Sequence, residues 1–346
     1  MRKIIVNHIN MQLFNKAILF TDIHFGLRHN SEEHNIDCLD FINWLISVAE
    51  ENNCETCIML GDWHHHRSNI NILTLDYTMQ ALRQLNNHFE KTYIILGNHD
   101  LFYKEKRDIH SMIVGSEFEN IILIDELTEI DNVAFVPWLV EEEWKKIQKI
   151  TAPYIFGHLE IPGFKMNASI EMPDHGTINS SHFENQEYVF SGHFHRRQNK
   201  GKIHYIGNPF GHNYGDAWDF ERGATIVEWG AVPQYIDYHY GPGFITIPLS
   251  SLLENPDLYL KEKTYLQVNL DVDITYEEAV FLRETFLTQY KVREFRLIKI
   301  QDDILITDID IDSEVKTVDQ LVIEQLTGIE STTIDSSKLI DIYNNL

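Results

Sequence analysis

Short apolar runs that stop abruptly at glycine or a polar residue recur along the chain. "KAILFTDIHFG" places Asp22 and His24 after a run at 17–20, and "CIMLGDWHHH" places Asp62 after 57–60. "TYIILGNHD" places Asn98, His99 and Asp100 after 92–96, "PYIFGHLE" places His158 after 154–156, and "EYVFSGHFH" places His193 and His195 after 188–190. Each run has the length and β-rich composition of a buried strand entering a loop. Between the first three lie "CLDFINWLISVAEEN" and "ILTLDYTMQALRQLNNHF". In the first of these, Leu39, Ile42, Leu45, Ile46 and Ala49 follow helical spacing. Strand–helix–strand alternation predicts an α/β fold with a parallel sheet and right-handed crossovers. Loops at the carboxyl ends of such strands converge on one edge, where sites are built.

The pattern changes after "HYGPGFITIPLS" (239–250), whose glycines and prolines mark an exit from the first domain, taken as residues 1–245. "TYLQVNLDVD" reads as a strand, and "TYEEAVFLRETFLTQY" as a helix opened by a capping box at Thr275 and Glu278. "REFRLIKI" reads as a second strand, so residues 246–301 form a small β-α-β unit with Arg293, Arg296 and Lys299 on its second strand. Residues 302–346 hold the acidic "DIDID" and two short amphipathic helices, "TVDQLVIEQL" and "SSKLIDIYNNL". A calcium-loop reading of "DIDID" fails, because Ser313 stands where glycine is needed and Asp319 where glutamate is. At the other end, "RKIIV" precedes the first core strand as an extension that could add an edge strand.

The 346 residues suffice for a large core and a smaller domain. No stretch approaches the roughly 18 consecutive apolar residues of a membrane span. The start also lacks the apolar segment of a signal peptide, so it reads as mature sequence. The three cysteines, Cys38, Cys54 and Cys57, are too few for a Cys₄ zinc site and point to a reducing compartment. A net charge of −25 should repel nucleic-acid phosphates unless cations or a partner supply positive charge. The 18 histidines point the other way, because imidazole is the commonest protein metal ligand.

Five loops, each delivering Asp, His or Asn at a strand end, are hard to obtain by chance. A phosphodiester resists attack because its anionic oxygens repel a nucleophile. Two cations about 3.5–4 Å apart neutralise that charge, and one carboxylate must bridge them. Asp62 sits centrally in the series. The donors include no thiolate, which suits Mn²⁺ or Fe²⁺ and also admits Zn²⁺.

This series, Asp-x-His, Gly-Asp, Gly-Asn-His-Asp, Gly-His and Gly-His-x-His, resembles the calcineurin-like metallophosphoesterase superfamily over residues 16–240. Within it the chain looks most like SbcD-type DNA repair and recombination nuclease subunits, closest to those of T-even-like phages. "GDWHHH", "FVPWLVEEEW" and "GHLEIPGF" carry that narrower likeness.

The resemblance implies a four-layer αββα core, a small DNA-facing capping domain and a C-terminal helical tail. It implies one ion held by Asp22, His24, Asp62 and His195, and a second by Asp62, Asn98, His158 and His193, with Mn²⁺ supporting activity. His99 then acts as an acid near the leaving oxygen, and His65, three residues after Asp62, approaches the phosphate. Asp100 orients His99 or serves as a turn or cap residue. Arg196 and Arg197 either meet DNA phosphates or lie on a solvated loop. "YIGNPF" reads as turn chemistry. His64 and His66 have no assigned role.

The implied activity is an Mn-dependent nuclease, exonuclease or endonuclease, processing DNA ends in recombination, repair or replication. The implied partners are DNA and an SbcC-type coiled-coil ATPase docked by the tail, with a homodimer inside a heterotetramer. The implied location is the cytoplasm, the host's if the gene is a phage's. The rival readings are a phosphatase or small-molecule phosphodiesterase on the same core, and a non-catalytic scaffold.

Overall fold

The computed structural model describes residues 12–166 and 170–299, all within one unit, Met1–Ile300. The "RKIIV" extension, the "DIDID" stretch and both tail helices lie outside the described residues.

In chain order, β1 (Lys16–Phe20), α1 (Glu32–Asn52), β2 (Thr56–Met59), α2 (Ile72–His88) and β3 (Lys91–Ile95) realise the predicted alternation. A hairpin of β4 (Leu101–Tyr103) and β5 (Lys106–His110) follows, then β6 (Ile121–Ile124). Next come β7 (Thr128–Ile130), β8 (Val133–Val136), β9 (Tyr154–His158), β10 (Tyr188–Gly192), β11 (Gln198–Lys200) and β12 (Ile203–Tyr205). Then follow β13 (Gly223–Glu228), β14 (Gln234–Asp237), β15 (Gly243–Pro248), β16 (Thr264–Leu270), α3 (Tyr276–Gln289) and β17 (Glu294–Lys299).

Two six-stranded sheets result, in the orders β14-β13-β1-β2-β3-β6 and β11-β12-β10-β9-β8-β7. Strands β1, β2, β3 and β6 run parallel, as do β8, β9, β10 and β12. Their runs are continuously apolar because both faces are buried. In β1, Leu19 faces the second sheet, where Phe135, Phe156 and Phe190 join the same cluster. Ile18 and Phe20 face α1 and α2, packing with Phe41, Leu45 and Leu82. Tyr93 stacks on Phe135 at 4.8 Å across the two sheets.

The outer face of the second sheet carries a separate cluster that includes Ile155, Val189, Ile147 and Phe183. Short 3₁₀ turns such as Glu143–Lys149 and Ser180–Phe183 cover it. The αββα order is therefore present with a thin fourth layer. Residues 159–187 contain Pro162, Gly163, Pro173 and Gly176 and no helical periodicity, and no long helix forms among the described residues there.

The β-α-β unit matches its sequence pattern, with Thr275 capping α3 through the box with Glu278. Its sheet has a third strand, however. Gly243–Pro248 pairs in parallel with β16, so the boundary drawn at 245/246 falls inside a strand. The glycines and prolines of "GPGFITIP" flank the strand and masked it from the pattern.

This small sheet is tied to the core through charge. Asp37, buried on α1, accepts from Lys263 at 2.8 Å and from Arg293 at 2.9 Å. Arg293 also pairs with Glu33 at 3.1 Å, and Arg296 pairs with Glu294 at 2.8 Å. Arg293, just before β17, and Arg296 on it are thus neutralised within the chain. Asp37→Ala removes the buried carboxylate that both cations share, leaving Lys263 with Asp40 and Arg293 with Glu33, and is expected to cost about 1–3 kcal/mol. The check is a lower urea midpoint at unchanged m-value.

All three cysteines are free and buried, and burial pushes the thiols of Cys38 and Cys57 well up, which disfavours a redox thiolate. Among the described residues no helix is long and apolar enough to cross a membrane.

Candidate metal centre

The loops after β1, β2, β3, β9 and β10 meet at one edge shared by both sheets, as the strand-end motifs predicted. Close approach there depends on glycine. A methyl group on Gly61, which also has φ of 102°, would overlap the His158 ring. One on Gly97 would overlap the Asp62 carboxylate. Asp22, His24, Asp62 and His193 themselves hold positive φ, at 49°, 51°, 61° and 86°. Such backbone costs on the order of 1–3 kcal/mol per residue and persists only where the surroundings enforce it. Strain of this kind, collected on the donor residues, marks a site that folding has been made to support.

Asp62 is the centre of the geometry. Its Oδ2 lies 3.7 Å from His24 Nε2 and 3.4 Å from His158 Nε2. Its Oδ1 accepts the His99 N–H at 2.8 Å. Asp22 Oδ1 lies 4.0 Å from His24 Nε2 and 3.9 Å from His195 Nε2. With metal–ligand bonds of about 2.0–2.2 Å, donors around one ion stand roughly 3–4 Å apart. One carboxylate oxygen between two donor sets therefore fits a bridging ligand.

On the far side, Asn98 Oδ1 lies 3.0 Å from His158 Nε2 and 3.1 Å from His193 Nδ1. His158 Nδ1 contacts the Leu60 carbonyl at 2.7 Å. A carbonyl only accepts, so that nitrogen carries the proton and Nε2 is the donor atom for an ion. His24 is buried, and neither ring nitrogen has a hydrogen-bond partner. An imidazole left in that state costs about 1–3 kcal/mol unless an ion satisfies it. The residues fit two divalent cations.

Electrostatics agree. Burial holds His24 well below the usual histidine range even against the pull of Asp62, keeping it neutral as a ligand must be. Burial would raise Asp62, but the charges of His158 and His99 outweigh it and hold the carboxylate well down. His158 is raised in return, because Asp62 overcomes the opposing effect of burial, so an ion taken up at its Nε2 displaces a proton.

The remaining predicted residues divide. His99 Nδ1 donates to the His65 carbonyl at 2.8 Å, and the two rings stack at 5.4 Å. His24, His65 and His99 bring ligand-capable nitrogens within 4.8 Å of one another. The buried carboxylate of Asp100 accepts backbone N–H groups from Asp62, Trp63, His64 and Gly97 at 2.9–3.1 Å. Through these bonds Asp100 locks the Asp62 loop to the Asn98 loop. Arg197 pairs with Asp237 at 2.5 Å and lies over Tyr235, so it is committed within the fold. Arg196 is half-buried on the loop after His195. His64 is buried, with ring nitrogens 2.8 Å from Ser111 Oγ and 3.0 Å from Thr78 Oγ1. It pins its loop to α2 and to the segment after β5. His66 is half-buried.

Several residues at the centre carried no isolated sequence signal. Glu160, inside "GHLEIPGF", lies 3.4 Å from His193 Nε2 and so orients Nδ1 toward Asn98. The hydrogen bond to His193 holds Glu160 below the usual carboxylate range. Glu160→Gln is expected to weaken ion binding beside His193 by about 10–100-fold, the usual effect of losing such a partner. Calorimetric titration with Mn²⁺ checks it, and an unchanged second binding step would reject the role. Trp138, from "FVPWLV", covers this side with its ring 5.0 Å from His193. His212 is a third, buried near His24 and His195.

No protein-family model matches the chain. Over 347 aligned residues it is 24% identical to Exonuclease subunit 1 of Enterobacteria phage T4, covering 96% of this chain and 98% of that protein. Solved structures that resemble it in part include the Pseudomonas putida nuclease MPE. That match is 20% identical, covers 54% of this chain and 66% of that one, and has a TM-score of 0.29. A dimetal phosphatase from Danio rerio is 11% identical, with 62% and 92% covered and a TM-score of 0.33. The likeness to phage nuclease subunits read from the motif series is borne out by the end-to-end similarity to the phage exonuclease subunit.

Proposed function

We propose that this chain is a metal-dependent nuclease, the catalytic subunit of a complex that processes DNA ends together with an SbcC-type ATPase. The observation that carries the reading is Asp62 Oδ2 standing between the rings of His24 and His158, with the backbone N–H of His99 on its other oxygen. Two divalent ions bound there, Mn²⁺ in this reading, would supply charge to neutralise the phosphate oxygens and to activate water. The chain's own residues do the rest. Asp22, His24, Asp62 and His195 hold one ion, and Asp62, Asn98, His158 and His193 hold the other. Because His99 Nδ1–H is committed to the His65 carbonyl, the ring exchanges its proton with substrate through Nε2. It delivers that proton to the departing sugar oxygen, while His65 steadies the phosphate.

The similarity to a phage exonuclease subunit supports DNA as the substrate, and the word subunit in that protein's name supports a partner. The net charge of −25 supports the same picture, since a partner's cationic surface would relieve the repulsion between this chain and DNA. The test is degradation of end-labelled linear duplex DNA by the purified chain with Mn²⁺. Release of label, absent in a His99→Ala control, supports the nuclease. Inertness toward DNA even with the cognate ATPase, alongside hydrolysis of a small phosphomonoester, overturns it in favour of a phosphatase.

A further inference from the structure

His212 lies two residues beyond "YIGNPF", the stretch that reads as turn chemistry, and the fold buries its imidazole there. It is 4% exposed, and neither ring nitrogen has a hydrogen-bond partner. Ligand-capable nitrogens of His24, His195 and His212 all lie within 4.8 Å of one another. The His212 ring centroid is 5.4 Å from that of His24 and 5.3 Å from that of His195. The other rings against it, His34 and Phe210, do not satisfy its nitrogens, because His34 Nε2 is directed to the His24 carbonyl.

The backbone around His212 is held as a ligand loop would be. Its N–H donates to Asp216 at 2.8 Å, and its carbonyl accepts from Arg28 at 3.1 Å. The buried Arg222 pairs with the same Asp216 at 2.9 Å and donates to the His195 carbonyl at 2.9 Å. A single guanidinium therefore fixes the His195 loop relative to the His212 loop. Arg28 itself stands on a left-handed turn and lies 3.6 Å over the Tyr265 ring of the small sheet.

We propose that His212 is a further ligand of the ion position shared by His24 and His195, making it a three-histidine position. This rests on the dinuclear reading above and deepens it. Three imidazoles with the Asp22 and Asp62 carboxylates form a nitrogen-rich set, which favours borderline ions such as Co²⁺, Fe²⁺ or Zn²⁺ over Mg²⁺. The Asn98 side, with two imidazoles, is the more oxygen-rich of the pair. The two positions should therefore fill in sequence.

The experiment titrates Co²⁺ alone into the metal-free full chain and follows visible absorption, for wild type, His212→Ala and His212→Cys. Wild type is expected to take up two ions per chain in two steps. In His212→Ala one step weakens about tenfold or more while the other is unchanged. In His212→Cys a thiolate-to-cobalt charge-transfer band grows in with one equivalent, and wild type lacks it because burial keeps its cysteine thiols protonated. That band reads the coordination sphere directly, so it decides the matter even if His212→Ala misfolds. A fully loaded His212→Cys chain without the band overturns the ligand assignment and leaves the dinuclear reading standing. A wild-type chain that takes up no Co²⁺ overturns both.

Discussion

Asp62→Asn should remove tight binding of both ions together and lower DNA cleavage by about 10³-fold or more. Asparagine preserves shape and leaves an oxygen to accept the His99 N–H, so the loop stays in place. What changes is the atom between His24 Nε2 and His158 Nε2, where an anionic oxygen shared by two donor sets gives way to a neutral amide group. Bridging charge of this kind contributes several kcal/mol to the reaction, and each 1.36 kcal/mol is tenfold in rate. Metal analysis after gel filtration provides the check. Loss of one ion with retention of the other would show that Asp62 serves a single position and that the bridging geometry is wrong.

This expectation could be framed from sequence because Asp62 occupies a place where local pattern and function coincide. An apolar strand ends, a glycine permits the turn, and the side chain that follows is delivered to the sheet edge. The same logic located Asp22, Asn98, His158, His193 and His195, all at strand ends. Continuous apolar runs signalled strands buried on both faces, and these are the parallel centres of the two sheets. Capping and periodicity likewise located α3 and its N-terminus.

What stayed hidden was set by partners distant in sequence. Asp100 sits next to His99, and adjacency suggested that it orients that ring. Its carboxylate gathers amides from the Asp62 loop, 36 to 38 residues away. Glu160 acquires its function only from His193, and His212 from rings on three other segments. Arg293 looks like a basic surface residue until α1 brings Asp37 and Glu33 against it. The short strand Gly243–Pro248 has too many glycines and prolines around it to announce itself. Periodicity reports burial, whereas charge pairing and ligation across loops leave no periodic trace.

The second large effect separates chemistry from metal holding at His99. His99→Ala is expected to lower DNA cleavage by about 10²–10⁴-fold, the usual contribution of a positioned acid, while two ions remain bound. The alanine keeps its backbone N–H on Asp62, and no ion donor is removed. The argument is sharpened by the leaving group. Cleaving DNA expels a sugar oxygen that needs a proton, whereas a p-nitrophenyl ester of thymidine monophosphate expels a phenolate that does not. An acid at His99 therefore predicts a much smaller loss on the ester than on DNA. Equal losses on both substrates would mean that the ring contacts the phosphate instead, and loss of bound metal would mean that it supports the ion site. His65→Ala provides the contrast, because a residue that steadies the phosphate should matter equally for both substrates. A selective loss at 99 beside a uniform loss at 65 would place proton delivery and phosphate binding on two stacked rings, joined by the hydrogen bond from His99 Nδ1 to the His65 carbonyl.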